Sequence, residues 1–260
     1  MPLTRSELAE LARAKHLLET PGIAMRLSSY AGAPVEKGLS MLPARVQKAV
    51  HDATQKALMT ALSIAVKSLG RPGSSASRDR LHRVAVATSG AIGGAFGLAA
   101  LAVELPVSTG LILRSIADIA ASEGEDPKAL DTQLACLTVF ALGSPKDRRD
   151  DAAESGYFAA RTALAGAISE ATKHIAQKGF TKGGGPAVVR LISLITARFG
   201  IVVSEKTAAQ LVPVIGAAGG ALINTIFIGH YQDMARGHFI VRRLEKAHDA
   251  LTVREAYDKL

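Results

Sequence analysis

Val84–Val103 reads VAVATSGAIGGAFGLAALAV, and Thr207–Gly229 reads TAAQLVPVIGAAGGALINTIFIG. Neither stretch carries a charge, and each matches the about 20 apolar residues that a helix needs to cross hydrocarbon. Within them Gly90/Gly94, Gly93/Gly97 and Gly216/Gly220 stand four apart, the spacing that lets two helix backbones touch. Both stretches therefore predict thin helices built to lie against a partner, and the nature of that partner decides the fold. The first holds seven large apolar residues, seven Ala, four Gly and two hydroxyl residues. Large residues contribute only about −0.3 to −0.6 kcal/mol each to insertion, and Ala and Gly add little. Autonomous insertion is marginal for the first stretch and weaker for the second, which contains Gln210, Pro213 and Asn224. A two-span hairpin is excluded at the first site, because the run after Pro106 is stopped at Arg114. A soluble or peripheral helical core is the reading adopted, with partial insertion as the other.

Composition agrees with helices. Of 260 residues 48% are hydrophobic but only 4% aromatic, with no Trp, so Ala and Gly carry much of the apolar content. A sheet would call for β-branched and aromatic pairs. The expectation is an all-α, single multi-helix domain built around two Gly/Ala-rich helices, with residues 1–72 as peripheral N-terminal helices and 73–260 as the core. The formal charge of +8 suits anionic lipid or nucleic acid. Without aromatic stacking platforms or a base-reading motif, nucleic acid is not expected. Cys136, the one cysteine, lies in the apolar run LACLTVFAL, which excludes a disulfide framework and predicts a buried thiol. The start, MPLTRSELAELARAK, lacks a signal-peptide apolar region and predicts a cytoplasmic location.

Local signals divide the chain. Thr4 with Glu7 predicts a capping box, and apolar spacing predicts a helix over 44–69, broken at Gly70–Ser75. The next helix begins near Ser77 and ends, or hands over, at Pro106. Asp126-Pro127 caps a helix reaching Leu142–Gly143, and another spans 151–177. Pro186 opens one to Phe199–Gly200, Val202 and Val203 form a brief extended piece, and a final long helix runs from the second glycine stretch to about Leu251.

The candidate chemistry is thin. His230 and Asp233 lie one turn apart, while His238 sits off to one side, so a metal would need side chains reaching in from the edges of the arc they span or a further ligand such as Glu104. Polar side chains bonded to neighbouring helices are the preferred reading. Glu104, ending an apolar run, is expected in a structural ion-pair cluster with Arg114 and Asp118. Arg78, Arg80 and Arg83 precede the first stretch and Arg236, Arg242, Arg243 and Lys246 follow the second. Packed antiparallel, the stretches would place all seven cations at one end, facing an anionic surface. GAIGGAFG and GFTKGGGP fit no nucleotide motif, and there is no GxSxG elbow. No catalytic residue and no cofactor is expected.

The blocks SGAIGGAFGLAALAVELPVSTGLILRSIADIAASEGED, LACLTVFALGS and VPVIGAAGGALINTIFIGHYQDMARGHFIVRRLE resemble the EcsC family of bacteria. The ARGHFIVRRLE tail, Ala235–Glu245, is the most specific part. The resemblance implies membrane proximity, through a gene neighbouring a transporter operon, and no established activity. ELPVSTGLILRSIADIA is also similar to apolar helical domains of some membrane-associated GTPases. Together these readings predict a non-enzymatic protein at the inner face of the membrane, bound to anionic lipid or to a membrane protein such as a transporter. The alternatives are a metal-dependent or hydrolase-like enzyme using Glu104, His230, Asp233 and His238, and a carrier of an apolar ligand.

Overall fold

A computed structural model of the chain describes residues 2–19, 26–28, 42–68, 98–143, 156–180, 184–210 and 216–260. Among these the fold is all-α, with no strand: α1 (Arg5–Glu19), α2 (Ala44–Ser68), α3 (Leu98–Ser122), α4 (Leu130–Thr138), a 3₁₀ turn (Val139–Ala141), α5 (Gly156–Lys178), α6 (Gly185–Gln210), α7 (Gly216–Ala247) and α8 (Ala250–Lys259).

α1 starts where its capping box predicts. The Thr4 amide donates to Glu7 Oε2 at 2.7 Å and the Glu7 amide to Thr4 Oγ1 at 3.3 Å. α2 matches its expected span within a residue. Elsewhere burial overrides local signals. Pro106 lies inside the continuous helix α3, where packing against α2 and α7 offsets the roughly 3 kcal/mol such a proline costs. Val202 and Val203 are helical, not extended, because both are fully buried in α6. The last helix is interrupted at Asp249, whose carboxylate accepts from the Leu251 and Thr252 amides and opens α8.

α7, about 48 Å long at 1.5 Å per residue, is the spine, touching α1, α3, α6 and α8. α3 runs parallel to it: Gln232 donates to Ser115 Oγ at 2.8 Å, and further along Arg243 donates to Glu123 at 2.8 Å. α2 runs antiparallel to α6, its Met59 lying near Gly184 and its Gln47 and His51 facing the stretch 196–204. One end of the bundle thus gathers the starts of α2, α3 and α7 with the end of α6. The other gathers the end of α7 with α1, α8, the end of α3 and the start of α4.

The scarce aromatics are concentrated. Phe140, Phe199, Phe227 and Tyr231 pack at 4.8–6.1 Å between centroids at the centre. Tyr157, Phe158 and Tyr257 form a second group where α8 meets α5. Residues of α1 and α2, among them Leu11, Ala14, Leu58 and Leu62, belong to the same buried core as those of α3 to α8. Cys136 is 2% exposed within it, and burial pushes its thiol up to about 12. Gly90, Gly93, Gly94 and Gly97 lie outside the described residues. Gly216 begins α7 and Gly220 follows one turn later, buried.

Among the described residues α6 is the helix long and apolar enough to cross a membrane, with a hydropathy of 1.8 over its best window. The same qualities follow from its place in the bundle, where Leu191, Ile192, Ile195 and Phe199 are fully buried.

Candidate functional site

α7 carries the polar side chains singled out in the sequence, and the bundle sends them to different neighbours. His230 is 1% exposed, its ring edge-on to Tyr231 and close under Gly143. A Cβ at Gly143, whose φ is +69°, would meet the imidazole at 2.6 Å, so glycine answers both the backbone and the space there. Among the described residues neither His230 nitrogen has a hydrogen-bond partner. Burial, then the Arg26 charge, pulls this imidazole down to about 4. Asp233, one turn on, pairs with Arg26 at 3.1 Å and Arg236 at 3.5 Å. His238 faces α5, its Nδ1 3.0 Å from the Tyr157 hydroxyl. Among the described residues no three His, Cys, Asp or Glu side chains come together as metal ligands do.

Glu104 is buried against Lys206 of α6, Nζ to Oε1 2.6 Å, rather than against Arg114 and Asp118, which are exposed on its own helix. The Lys206 ammonium also lies 4.8 Å from the centre of the Phe227 ring. Burial draws this ammonium below the ordinary lysine range, and the Glu104 carboxylate works against that shift. Sequence position marks Glu104 as a buried acid, but its cation is 102 residues away along the chain.

The cations of α7 meet carboxylates. Arg242 Nε donates to Glu125 at 3.1 Å and Nη2 to Asp131 at 2.7 Å; Arg243 spans Glu123 and Glu10; Lys246 reaches Glu125 at 2.7 Å. These pairs clamp the end of α7 to α1, α3 and the start of α4. Burial pushes the Glu125 carboxyl up, but Lys246 and Arg242 outweigh it and hold the group below its ordinary value. Arg78, Arg80 and Arg83 lie outside the described residues.

One further arrangement has no simple signal in the sequence. Arg161 of α5 makes a two-pronged pair with Glu245 of α7, both contacts 2.8 Å, and its Nη1 donates to the Tyr157 hydroxyl at 3.2 Å. Burial holds that phenol well above its usual range, so it keeps its proton. Arg161, His238, Arg242 and Glu245 together line a cleft of about 750 Å³ between α5, α7 and α8, floored by α4. Tyr157 and His238, 81 residues apart, meet only once the helices pack.

ARGHFIVRRLE is thus the seam of the fold. Gly237 lies against α1, where an added Cβ would sit 2.6 Å from Leu18 and 3.0 Å from the Ala14 carbonyl. His238 and Glu245 face α5, while Arg242 and Arg243 face carboxylates. No curated protein and no solved structure matches the chain. The family model described as EcsC protein family matches residues 5–244, a span that takes in α1 and nearly all of α7. The chain therefore belongs to the EcsC protein family.

Proposed function

We propose that this EcsC protein is a non-enzymatic protein that rests on the inner face of a membrane through the end of the bundle where α3 and α7 begin. The observation that supports this is that three apolar side chains near this end are exposed. Val107 is 50% exposed, Ile201 38% and Leu222 39%. Each lies within five residues of the contact that joins Glu104, Lys206 and Phe227. Residues 216–229 of the second glycine-rich stretch lie in α7 from its start, and residues 98–103 of the first lie in α3 from its start. Arg242 of α7 stands about 30 Å from Leu222 along the helix axis, and it is already engaged by carboxylates. The formal charge of +8 favours anionic lipid over neutral lipid. A membrane protein at the same surface is the other partner that would use these side chains.

Flotation with vesicles tests the reading. The full chain should rise with anionic phospholipid vesicles, and Val107→Glu or Leu222→Glu should lower the recovered fraction several-fold. Protein that stays at the bottom with both anionic and neutral vesicles would remove lipid as the partner. Among the described residues, Glu104, His230, Asp233 and His238 do not come together as metal ligands do.

A further inference from the structure

The cleft between α5, α7 and α8 has the features of a ligand site, independent of any membrane surface. Its volume, about 750 Å³, falls in the range usual for small-molecule pockets. Four cations, Arg161, Lys173, Arg242 and Arg254, border it with two carboxylates, Asp131 and Glu245, of which Glu245 is paired with Arg161 and Asp131 with Arg242. Phe158, Ile168 and Leu251 supply an apolar wall. Leu251 is 62% exposed.

His238 supplies the independent pointer. It is 3% exposed, it borders the cleft, and among the described residues its Nε2 has no hydrogen-bond partner. The relay behind it fixes which group that nitrogen presents. Arg161 is a cation and donates to the Tyr157 oxygen. The phenol keeps its own proton, and the neighbour available to receive it is His238 Nδ1 at 3.0 Å. A neutral imidazole that accepts at Nδ1 carries its hydrogen on Nε2. His238, at the edge of the cleft, therefore holds a buried N–H donor, kept in place by a chain that starts on a guanidinium. A buried donor left without an acceptor is costly. A water would satisfy that donor but would use neither the cations nor the apolar wall.

We propose that this cleft binds a small organic anion with an apolar body, whose carboxylate or phosphate oxygen accepts from His238 Nε2 while the body lies along Phe158, Ile168 and Leu251. Arg161 and Tyr157 are positioning residues, setting the imidazole's tautomer rather than touching the ligand.

Calorimetric titration of the full chain with dodecanoate, kept below its micellar concentration, tests the proposal. Dodecanol isolates the apolar body, inorganic phosphate isolates the oxyanion, and dodecyl phosphate compares the two head groups. One dodecanoate or dodecyl phosphate per chain is expected, with dodecanol at least ten-fold weaker and phosphate alone showing no binding at the same concentration. His238→Phe should weaken dodecanoate binding at least ten-fold. Because that change also removes the acceptor for Tyr157 and could unfold the chain, Ala165→Phe serves as the second variant. Ala165 is an exposed helix position on the cleft wall, so the larger side chain should fill the cleft and abolish binding without moving the melting temperature. Absence of dodecanoate binding, equal affinity for dodecanoate and dodecanol, phosphate binding as tight as dodecanoate, or an Ala165→Phe protein that binds unchanged would each overturn the proposal.

Discussion

Two buried side chains on different helices respond to their surroundings in ways that mutation can separate. Lys206 is fully buried and Glu104 7% exposed. Removing one partner strands the other charge in apolar surroundings, a loss of about 3–5 kcal/mol in comparable sites. Lys206→Met should therefore destabilise the chain by that amount in urea unfolding, and Lys206→Met with Glu104→Leu should regain most of it. A single-variant loss under about 1 kcal/mol would place water beside the carboxylate, as at an exposed pair. His230 answers to pH instead. Its native value, about 4, lies below the roughly 6.5 of an unfolded histidine. The unfolded chain takes up this proton first, so His230 lowers stability as pH falls from about 6.5 toward 4, and the effect levels off once the native imidazole is also protonated. His230→Met should flatten stability against pH in that window, by up to about 1.4 kcal/mol per pH unit. The remaining slope is expected from His238, which burial also holds well below its ordinary value.

Within the helices, glycine has opposite meanings at two positions. Gly237→Val must push into Leu18 and the Ala14 carbonyl, and overpacking of this kind costs about 1–3 kcal/mol. The loss should appear in chemical denaturation, together with faster amide exchange through α1. At Gly200, mid-helix in α6, nothing stands within 4 Å of an added Cβ, so Gly200→Ala should stabilise by about 0.5–1 kcal/mol. A destabilised Gly200→Ala protein would contradict the open space described there. Elements were legible in the sequence where the signal is local: the Thr4–Glu7 cap, the span of α2 and the helical class itself. They were misread where burial opposed it, at Pro106 and at Val202–Val203. α8 escaped notice because apolar spacing continues past the short break that Asp249 caps. Of the site, Glu104 announced itself by ending an apolar run, whereas Lys206, Tyr157 and Arg161 acquire meaning only when distant helices meet.

Across the molecule, ion pairs gather toward the end of α7, where Arg242, Arg243 and Lys246 meet carboxylates. The pairs are unequal. Glu125 has a side chain only 4% exposed, so Arg242→Ala leaves it leaning on Lys246, and a loss of roughly 2–4 kcal/mol is expected from a partly buried pair. Lys48→Ala, breaking an exposed pair whose side chains are 77% and 58% accessible, should stay within about 0.5 kcal/mol. Equal losses in the two variants would show that burial does not grade these contacts. Because Glu125 is held below its ordinary value, its contribution is complete above the unfolded carboxylate value near pH ~4.3 and is lost as pH falls through its native one. The lone sulfhydryl, Cys136, gives the molecule a clock of its own. Sealed in α4 and kept protonated far above neutrality, it can be alkylated only when the surrounding helices part. The rate of its capture by a thiol reagent therefore times spontaneous opening without any engineered reporter. Its neighbours Ala135 and Thr138 border the cleft, so an occupant there should visibly slow that reaction.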